Sequence, residues 1–431
     1  MKAYPYWWDT APGLKSQVSS LEPPELPERV DVAIVGAGYT GLAAARRLAM
    51  SGASVVVLER ETVGWGASSR NAGQVLTGLR IDPVTLVRRY GPRRARELFD
   101  ASLDAIGHLE SLIASESIDC DYERAGHIQA AWKPSHFEAF REERTLLREL
   151  FAHQVVLLTR SEQRSEIASD AYHGVMVDEK SGALNPARYV DGLANAAVRR
   201  GARIATGVSV DRIVRDGGEW RAVCGSRHVR SRDVVLATDG YSDRAAGALR
   251  RRLVPIGSYV IATEPQPPAL AAALLPKRRT AFDSKNFLFY FRVTDDHRVL
   301  FGGRAEFAQP SADTTRHAAE ILRRGMTRVF PQLESAAVEY AWAGPVAFTR
   351  DQMPHAGRLD GRYVASGYCG HGVAMATRLG DAIGRMAAGQ QIEHPFVTPA
   401  GDPFPSIPFY TGTPWFLPLV GAYYKVKDWL Q

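Results

Sequence analysis

Three glycines, Gly36, Gly38 and Gly41, stand in a GxGxxG spacing, with Tyr39 and Thr40 filling the last gap. They follow a short apolar run, Val30 to Val35, and lead into the Ala-rich, breaker-free stretch Leu42 to Met50. In such a spacing the first glycine makes a tight turn and the second lets backbone approach a pyrophosphate. The helix that follows offers free N–H groups and a partial positive charge at its N-terminus. Ala45 stands where a small residue lets helix and strand pack closely. A second apolar run, Ser54 to Leu58, ends in Glu59, 18 positions beyond Gly41, where a carboxylate can accept both ribose hydroxyls. A lone GxGxxG is weak evidence against an ordinary glycine turn. Strand, turn, helix, second strand and acid in register predict a βαβ dinucleotide site, without saying which dinucleotide.

The elements that must position this site are spread along the chain. A helical pattern runs from Asp82 to Leu150, broken by a short strand near Gly126–Ala130. Asn185 as N-cap and Pro186 at the first helical position open a helix reaching Arg200. A strand over Arg203–Arg215, a hairpin at Asp216-Gly217-Gly218 and an apolar strand, Asp233–Thr238, follow. Leu253–Glu264 and Asn286–Gly303 read as strands, with Phe287, Phe289 and Phe291 alternating with Leu288, Tyr290 and Arg292. Residues 311–329 read as a helix, and Gly361–Gly389 as strand, glycine loop and helix.

The 431 residues, 45% hydrophobic and 23% charged, have a globular composition with room for more than one domain. A net charge of +6 is dispersed, with no long basic tract and no nucleic-acid reading module. Cys120, Cys224 and Cys369 are far apart and form no CxxC pair, which points to a reducing compartment and away from zinc. No histidine cluster has metal-ligand spacing, and His108, His127 and His355 read as structural. The first residues, MKAYPYWWDTAP, lack the apolar core of a secretory signal, and the apolar stretch Pro414–Tyr424 is far short of the ~20 residues of a membrane span. A cytoplasmic location is expected.

After Glu59-Arg60 comes Gly64-Trp65-Gly66-Ala67-Ser68-Ser69-Arg70-Asn71-Ala72-Gly73-Gln74. Four more segments follow in order: Gly182–Tyr189; Val234–Gly240, containing Thr238; Thr349-Arg350-Asp351 with Pro354 and Gly357; and Gly367-Tyr368-Cys369-Gly370-His371-Gly372. Together they resemble the FAD-dependent D-amino-acid oxidase superfamily, in the glycine oxidase and sarcosine oxidase branch. The loop and the Tyr-rich N-terminus are most similar to gamma-glutamylputrescine oxidase-like enzymes. The resemblance covers essentially the whole chain. It implies an α/β fold with a Rossmann-like FAD-binding domain of glutathione-reductase type and an interleaved α+β substrate domain on a mostly antiparallel sheet. Residues 28–90, 150–250 and 345–395 are expected to form the FAD-binding domain and 91–149 with 251–344 the substrate-binding domain. An N-terminal extension, 1–27, and a C-terminal tail, 396–431, complete the chain.

By the same resemblance, Ala67 to Gln74 reach the pyrophosphate and isoalloxazine edge, Val210 contacts the adenine, and Thr238, Gly240 and Gly344 line the cofactor. The loop Gly367, Gly370, His371, Gly372 and the helix from Val373 face the pyrimidine side of the flavin, where N–H groups and a helix dipole stabilise a reduced flavin. Members that attach flavin covalently use a cysteine just before the threonine motif, where this chain has Ala347. Noncovalent FAD is therefore expected, although Cys369 lies close by.

Amine oxidation by flavin needs a neutral lone pair, an aimed C–H bond and a dry pocket. Tyr290 is a candidate amine partner or pocket wall, and Arg292 a grip for a remote carboxylate or else an ordinary ion-paired strand residue. Tyr259, Trp342 and Tyr368 are aromatic candidates for the wall, or simple core. His371 is a candidate base, although its backbone carries more weight in such a loop. Glycine oxidase-like members hold an α-carboxylate with an arginine where this chain has Val346. Sarcosine oxidase-like members carry a lysine where it has Ala374. Both departures point away from a simple α-amino acid and toward an amine, a polyamine conjugate or a cyclic imino acid.

The expected reaction is oxidation of a C–N bond to an imine by hydride transfer to flavin N5, with O2 regenerating the flavin and yielding H2O2. No second GxGxxG appears for NAD(P)H, so the substrate itself is expected to reduce the flavin. One alternative is a dehydrogenase passing electrons to quinone or a partner, with the aromatic tail PFYTGTPWFLPLVGAYYKVKDWLQ touching a membrane surface. Another is a flavin-bearing subunit of a larger complex.

Overall fold

The computed structural model describes residues 1–16, 25–303, 310–421 and 423. Two large sheets organise them. In the first, strand Arg29–Val35 lies parallel to Val55–Leu58 on one side and to Arg227–Leu236 on the other. Arg203–Ala205 extends it beyond Val55–Leu58, and Arg362–Ser366 extends it beyond Arg227–Leu236, again in parallel. One face of the central strands, with Val32, Ile34, Val55, Val57 and Val235, packs on helices, and the other, with Ala33, Val35, Val56, Leu58, Val234 and Leu236, packs on Val208, Val210, Trp220 and Leu249, so both are apolar. The second sheet has eight strands in the order 338–348, 254–263, 299–303, 289–293, 280–283, 127–130, 174–178, 156–159. Only the pairing of Thr280–Asp283 with His127–Ala130 is parallel.

Local signals set the helix starts. Asp82 caps Pro83–Glu116 by accepting the Thr85 N–H at 2.8 Å, and Asn185 caps Pro186–Arg199 by accepting from Ala187 and Arg188. Ser311 and Thr314 form a reciprocal capping box ahead of Ala312–Val329. Gly91 leaves helical geometry just before Pro92, so the long helix kinks there.

Two of the expected elements differ. The strand expected over 203–215 is two strands, Arg203–Ala205 and Arg212–Asp216, because Gly207 takes a φ of 69° and Val208 turns back to bond Glu59 O. Within the stretch 150–250 assigned to the cofactor domain, Val156–Thr159 and Gly174–Asp178 join the second sheet instead. Conversely, Pro83–Glu116 packs on the helices of the first sheet. Its Glu116 carboxylate is buried and receives Arg46, Arg199 and Arg200, so three helices meet at one anion. Removing Arg46, the buried partner, costs about 3–5 kcal/mol.

Helix Tyr39–Met50 and helix Gly372–Ala387 pack closely enough that a Cβ on Gly380 would fall 2.4 Å from Thr40 O. That contact sets the start of the first helix against the middle of the second, and both helices begin at the carboxyl ends of parallel strands, where open α/β sheets bind ligands. The C-terminal residues return to the first domain through Tyr410, whose hydroxyl donates to Leu253 O, and Arg250, which donates to Gly412 O. Phe409, Trp415, Leu419 and Tyr423 remain exposed, and the lysine-bearing end of the tail lies outside the described residues. No helix among the described residues is long and apolar enough to cross a membrane.

Candidate active site

The glycine turn is built as its spacing demands. Gly36 has a φ of 105°, and a Cβ there would stand 2.7 Å from Ala237 O, so only glycine fits beside the neighbouring strand. Gly41 lies behind the wall, packed on Gly36 O. Glu59 binds the turn to the end of the second strand: one oxygen accepts Ala37 N–H at 2.8 Å and the other Glu61 N–H at 2.9 Å. Burial pushes its pKa up. A carboxylate has about four acceptor sites, so lone pairs remain for hydroxyl donors in the cavity.

From this cradle a cavity of about 490 Å³ extends to the second sheet. Its first part is walled by Gly36, Gly38, Tyr39, Thr40, Glu59, Arg60, Val210 and Thr238. Its middle is walled by Ala67, Ser68, Arg70, Asn71, Ala72, Gln74, Gly344 and by Tyr368, Gly370, His371, Gly372 and Val373. The Tyr368 hydroxyl meets Thr40 Oγ1 at 2.7 Å, tying the two helix-leading loops together. Ser68 Oγ accepts the Tyr39 N–H at 3.0 Å. Asp239 receives Ser366 Oγ at 2.5 Å and Gly367 N at 3.0 Å, and its burial raises its pKa.

The loop 64–74 is held by two N-terminal tryptophans whose role the sequence did not mark and by Trp342. Trp8 donates its indole N–H to Ser69 Oγ at 2.7 Å, and Trp7 donates to Asn71 O at 2.9 Å. The Arg70 guanidinium lies over Trp65 at 4.4 Å and Trp8 at 5.0 Å, and Trp342 donates to Arg70 O at 2.8 Å. The adjacent tryptophans in an otherwise Tyr-rich N-terminus were the available signal.

Several candidates do not reach the cavity, and one that lines it, Cys369, turns its thiol away. Ser69 is fully buried, its hydroxyl used by Trp8 and by Gly64 O. Gly73, Gly240 and Gly367 sit behind the wall, Gly73 against Leu184 O. Arg292 shares a strand face with Leu288 and Tyr290, but it is buried and does not line the cavity. Its Nη1 donates to Leu184 O at 2.9 Å, and loss of solvent lowers its pKa to about 10. It is thus neither a carboxylate grip nor an ion-paired surface residue. Tyr259 and Trp342 are 1% exposed and belong to the core. Cys369 is also buried, its thiol directed at Gly367 O and pushed up to about 12 by burial.

Tyr290 does line the cavity, with its hydroxyl 2.9 Å from Ser258 Oγ and 3.4 Å from Tyr259 O. Beyond it the cavity continues past Leu288, Phe282 and Gln129 into an arm that sequence reasoning missed. His127 lies here rather than in a purely structural setting. Its Nδ1 is 2.9 Å from Thr280 Oγ1, and burial lowers its pKa to about 3, so the ring is neutral. His153 Nε2 is 3.0 Å from Asp178, which Thr77 also bonds. Glu143, Asp82 and Arg80 complete the arm. Among the described residues no group of acids, histidines and cysteines forms a metal site.

A family model described as FAD dependent oxidoreductase (DAO) matches residues 31–386. A probable oxidoreductase, OrdL, of Haemophilus influenzae is 32% identical over 390 residues, covering 89% of this chain and 88% of that protein. The gamma-glutamylputrescine oxidoreductase of Escherichia coli is 31% identical over 407 residues, covering 92% of each. Among solved structures, glycine oxidase from Geobacillus kaustophilus superposes with a TM-score of 0.73 at 22% identity, covering 85% of this chain and 97% of that one.

Proposed function

The chain belongs to the DAO family of FAD-dependent oxidoreductases, and from that premise we propose that it oxidises the carbon beside an amine nitrogen to an imine. The observation that carries this reading is a single cavity joining the dinucleotide cradle to a pocket with Tyr290 and His371 on its wall. The residues present fit FAD. Gly36 and Gly38 leave room for backbone to meet a pyrophosphate, Glu59 has acceptors left for ribose, and Gly372 opens a helix with no side-chain cap. Bound there, FAD would supply a two-electron acceptor for the hydride of the CH–N unit, with the nitrogen giving up a proton and O2 regenerating the oxidised form and leaving as H2O2.

The chain's own residues set the conditions. Leu288, Phe282, Ile256 and a neutral His127 give the pocket low polarity, which favours the uncharged amine whose lone pair is required. Tyr290 is fixed by Ser258, so its oxygen orients an amine N–H without a rotamer search. The buried, protonated Cys369 thiol supports noncovalent FAD. The Escherichia coli relative's name and the absence of arginine and lysine at Val346 and Ala374 both favour an amine over an α-amino acid.

Turnover in air tests the oxidase reading: one peroxide and one carbonyl product per amine consumed support it. A second reading, electron transfer to a quinone, is favoured by the exposed Phe409, Trp415, Leu419 and Tyr423. It requires turnover with a quinone and no peroxide.

A further inference from the structure

The arm beyond Tyr290 has more charge than amine oxidation at the flavin needs. Glu143 projects from helix Pro134–Phe151 onto the cavity wall, alongside Leu147, His153 and Met176. It is partly buried, and among the described residues it has no hydrogen-bond or ion-pair partner. Enclosed carboxylates are ordinarily paired, because an unpaired one is costly. An unpaired one on a ligand cavity is a vacancy for a cation.

The surroundings strengthen this. Asp82, at the start of helix Pro83–Glu116, and Asp178, on the strand Gly174–Asp178, also line the arm. Asp178 is held ionised by His153 and Thr77. Arg80 is the one arginine or lysine on the arm among the described residues, and it is engaged by other contacts. His127 is neutral and adds no charge. Asp178 is taken up by His153 and Thr77 and Asp82 by the Thr85 N–H, so Glu143 is the carboxyl on the arm that is left without a partner among the described residues.

We propose that Glu143 holds a positively charged group at the far end of the substrate, so that the preferred substrate is an amine carrying a second cation, such as an aliphatic diamine or a conjugate ending in an ammonium group. This rests on the amine-oxidising reading above. One end of the molecule sits beside Tyr290 and His371, and the other displaces water from Glu143. A monoamine of the same length fills the same volume but leaves the carboxylate unpaired.

The test is anaerobic stopped-flow reduction of the FAD-loaded full chain by α,ω-diaminoalkanes and by monoalkylamines of matched length. The dissociation constant comes from the saturation curve and the limiting rate from its plateau. The wild-type protein is expected to bind the best diamine about tenfold more tightly than its monoamine. Glu143→Gln is expected to abolish that preference by raising the diamine's dissociation constant, with the change in affinity rather than in limiting rate. Equal affinity of diamine and monoamine, or a preference that survives Glu143→Gln, overturns this inference while leaving amine oxidation standing. Failure of both amine classes to reduce the flavin overturns the amine reading and this inference with it.

Discussion

Glu143 also makes a prediction about stability that does not depend on any substrate. Its carboxyl is pushed from 4.5 up to about 7, first by burial and then by the Asp82 carboxylate nearby. The folded protein therefore holds this proton more tightly than the unfolded chain does. Stability falls as pH rises through the window from 4.5 to 7, and the full cost is present above it. At about 1.4 kcal/mol per pKa unit, that cost is about 3 kcal/mol near pH 8 and below about 1 kcal/mol near pH 5. Glu143→Gln keeps the shape and removes the titration, so it is expected to stabilise the protein at the higher pH. With an unfolding entropy of roughly 2.1 cal/mol/K per residue over 431 residues, 3 kcal/mol corresponds to about 3 °C. Thermal midpoints of both proteins, saturated with FAD and scanned at one rate, are compared near pH 8 and near pH 5. The variant is expected to melt about 3 °C higher at the first and within about 1 °C at the second. A variant that melts at or below wild type near pH 8 would show that Glu143 is paired or well hydrated, and the argument for a cation vacancy would fall with it.

Other expectations concern the cofactor. Gly36→Ala places a methyl 2.7 Å from Ala237 O at a positive φ, so the purified variant should contain little flavin by its visible-to-ultraviolet absorbance ratio. Trp8→Ala removes the bond to Ser69 and the face that Arg70 covers. Together these amount to about 2 kcal/mol in ordering the loop, which should weaken FAD retention up to roughly 30-fold in an equilibrium titration. Acid precipitation of the wild-type protein should release all its flavin into solution. Colour left in the pellet would contradict noncovalent attachment.

The parts legible in the sequence were those fixed by local stereochemistry. Gly36 to Glu59 could be read because a glycine turn, a helix start and a strand end leave few alternatives, and the cap at Asn185 was legible for the same reason. Pairing was less so. Val156–Thr159 and Gly174–Asp178 are short apolar runs that fit either sheet, and nothing local says which edge they join. Period two put Tyr290 and Arg292 on one face, but whether a position on that face meets a cavity or a neighbouring backbone depends on what packs there. Tyr290 meets Ser258 and the cavity, while Arg292 meets Leu184 O. Glu143 sits in the charged stretch Arg141 to Arg144 and reads as solvated helix surface. Only the approach of the strand Gly174–Asp178 and the start of helix Pro83–Glu116 turns it into a cavity wall.

The most direct test of the account is anaerobic mixing of the purified yellow protein with a panel of amines and amino acids while the visible flavin absorbance is followed. The account predicts that amines bleach the flavin, simple α-amino acids do so poorly, and colour returns when air is admitted. A flavin that no amine bleaches would contradict it, as would a colourless protein that takes up no added FAD.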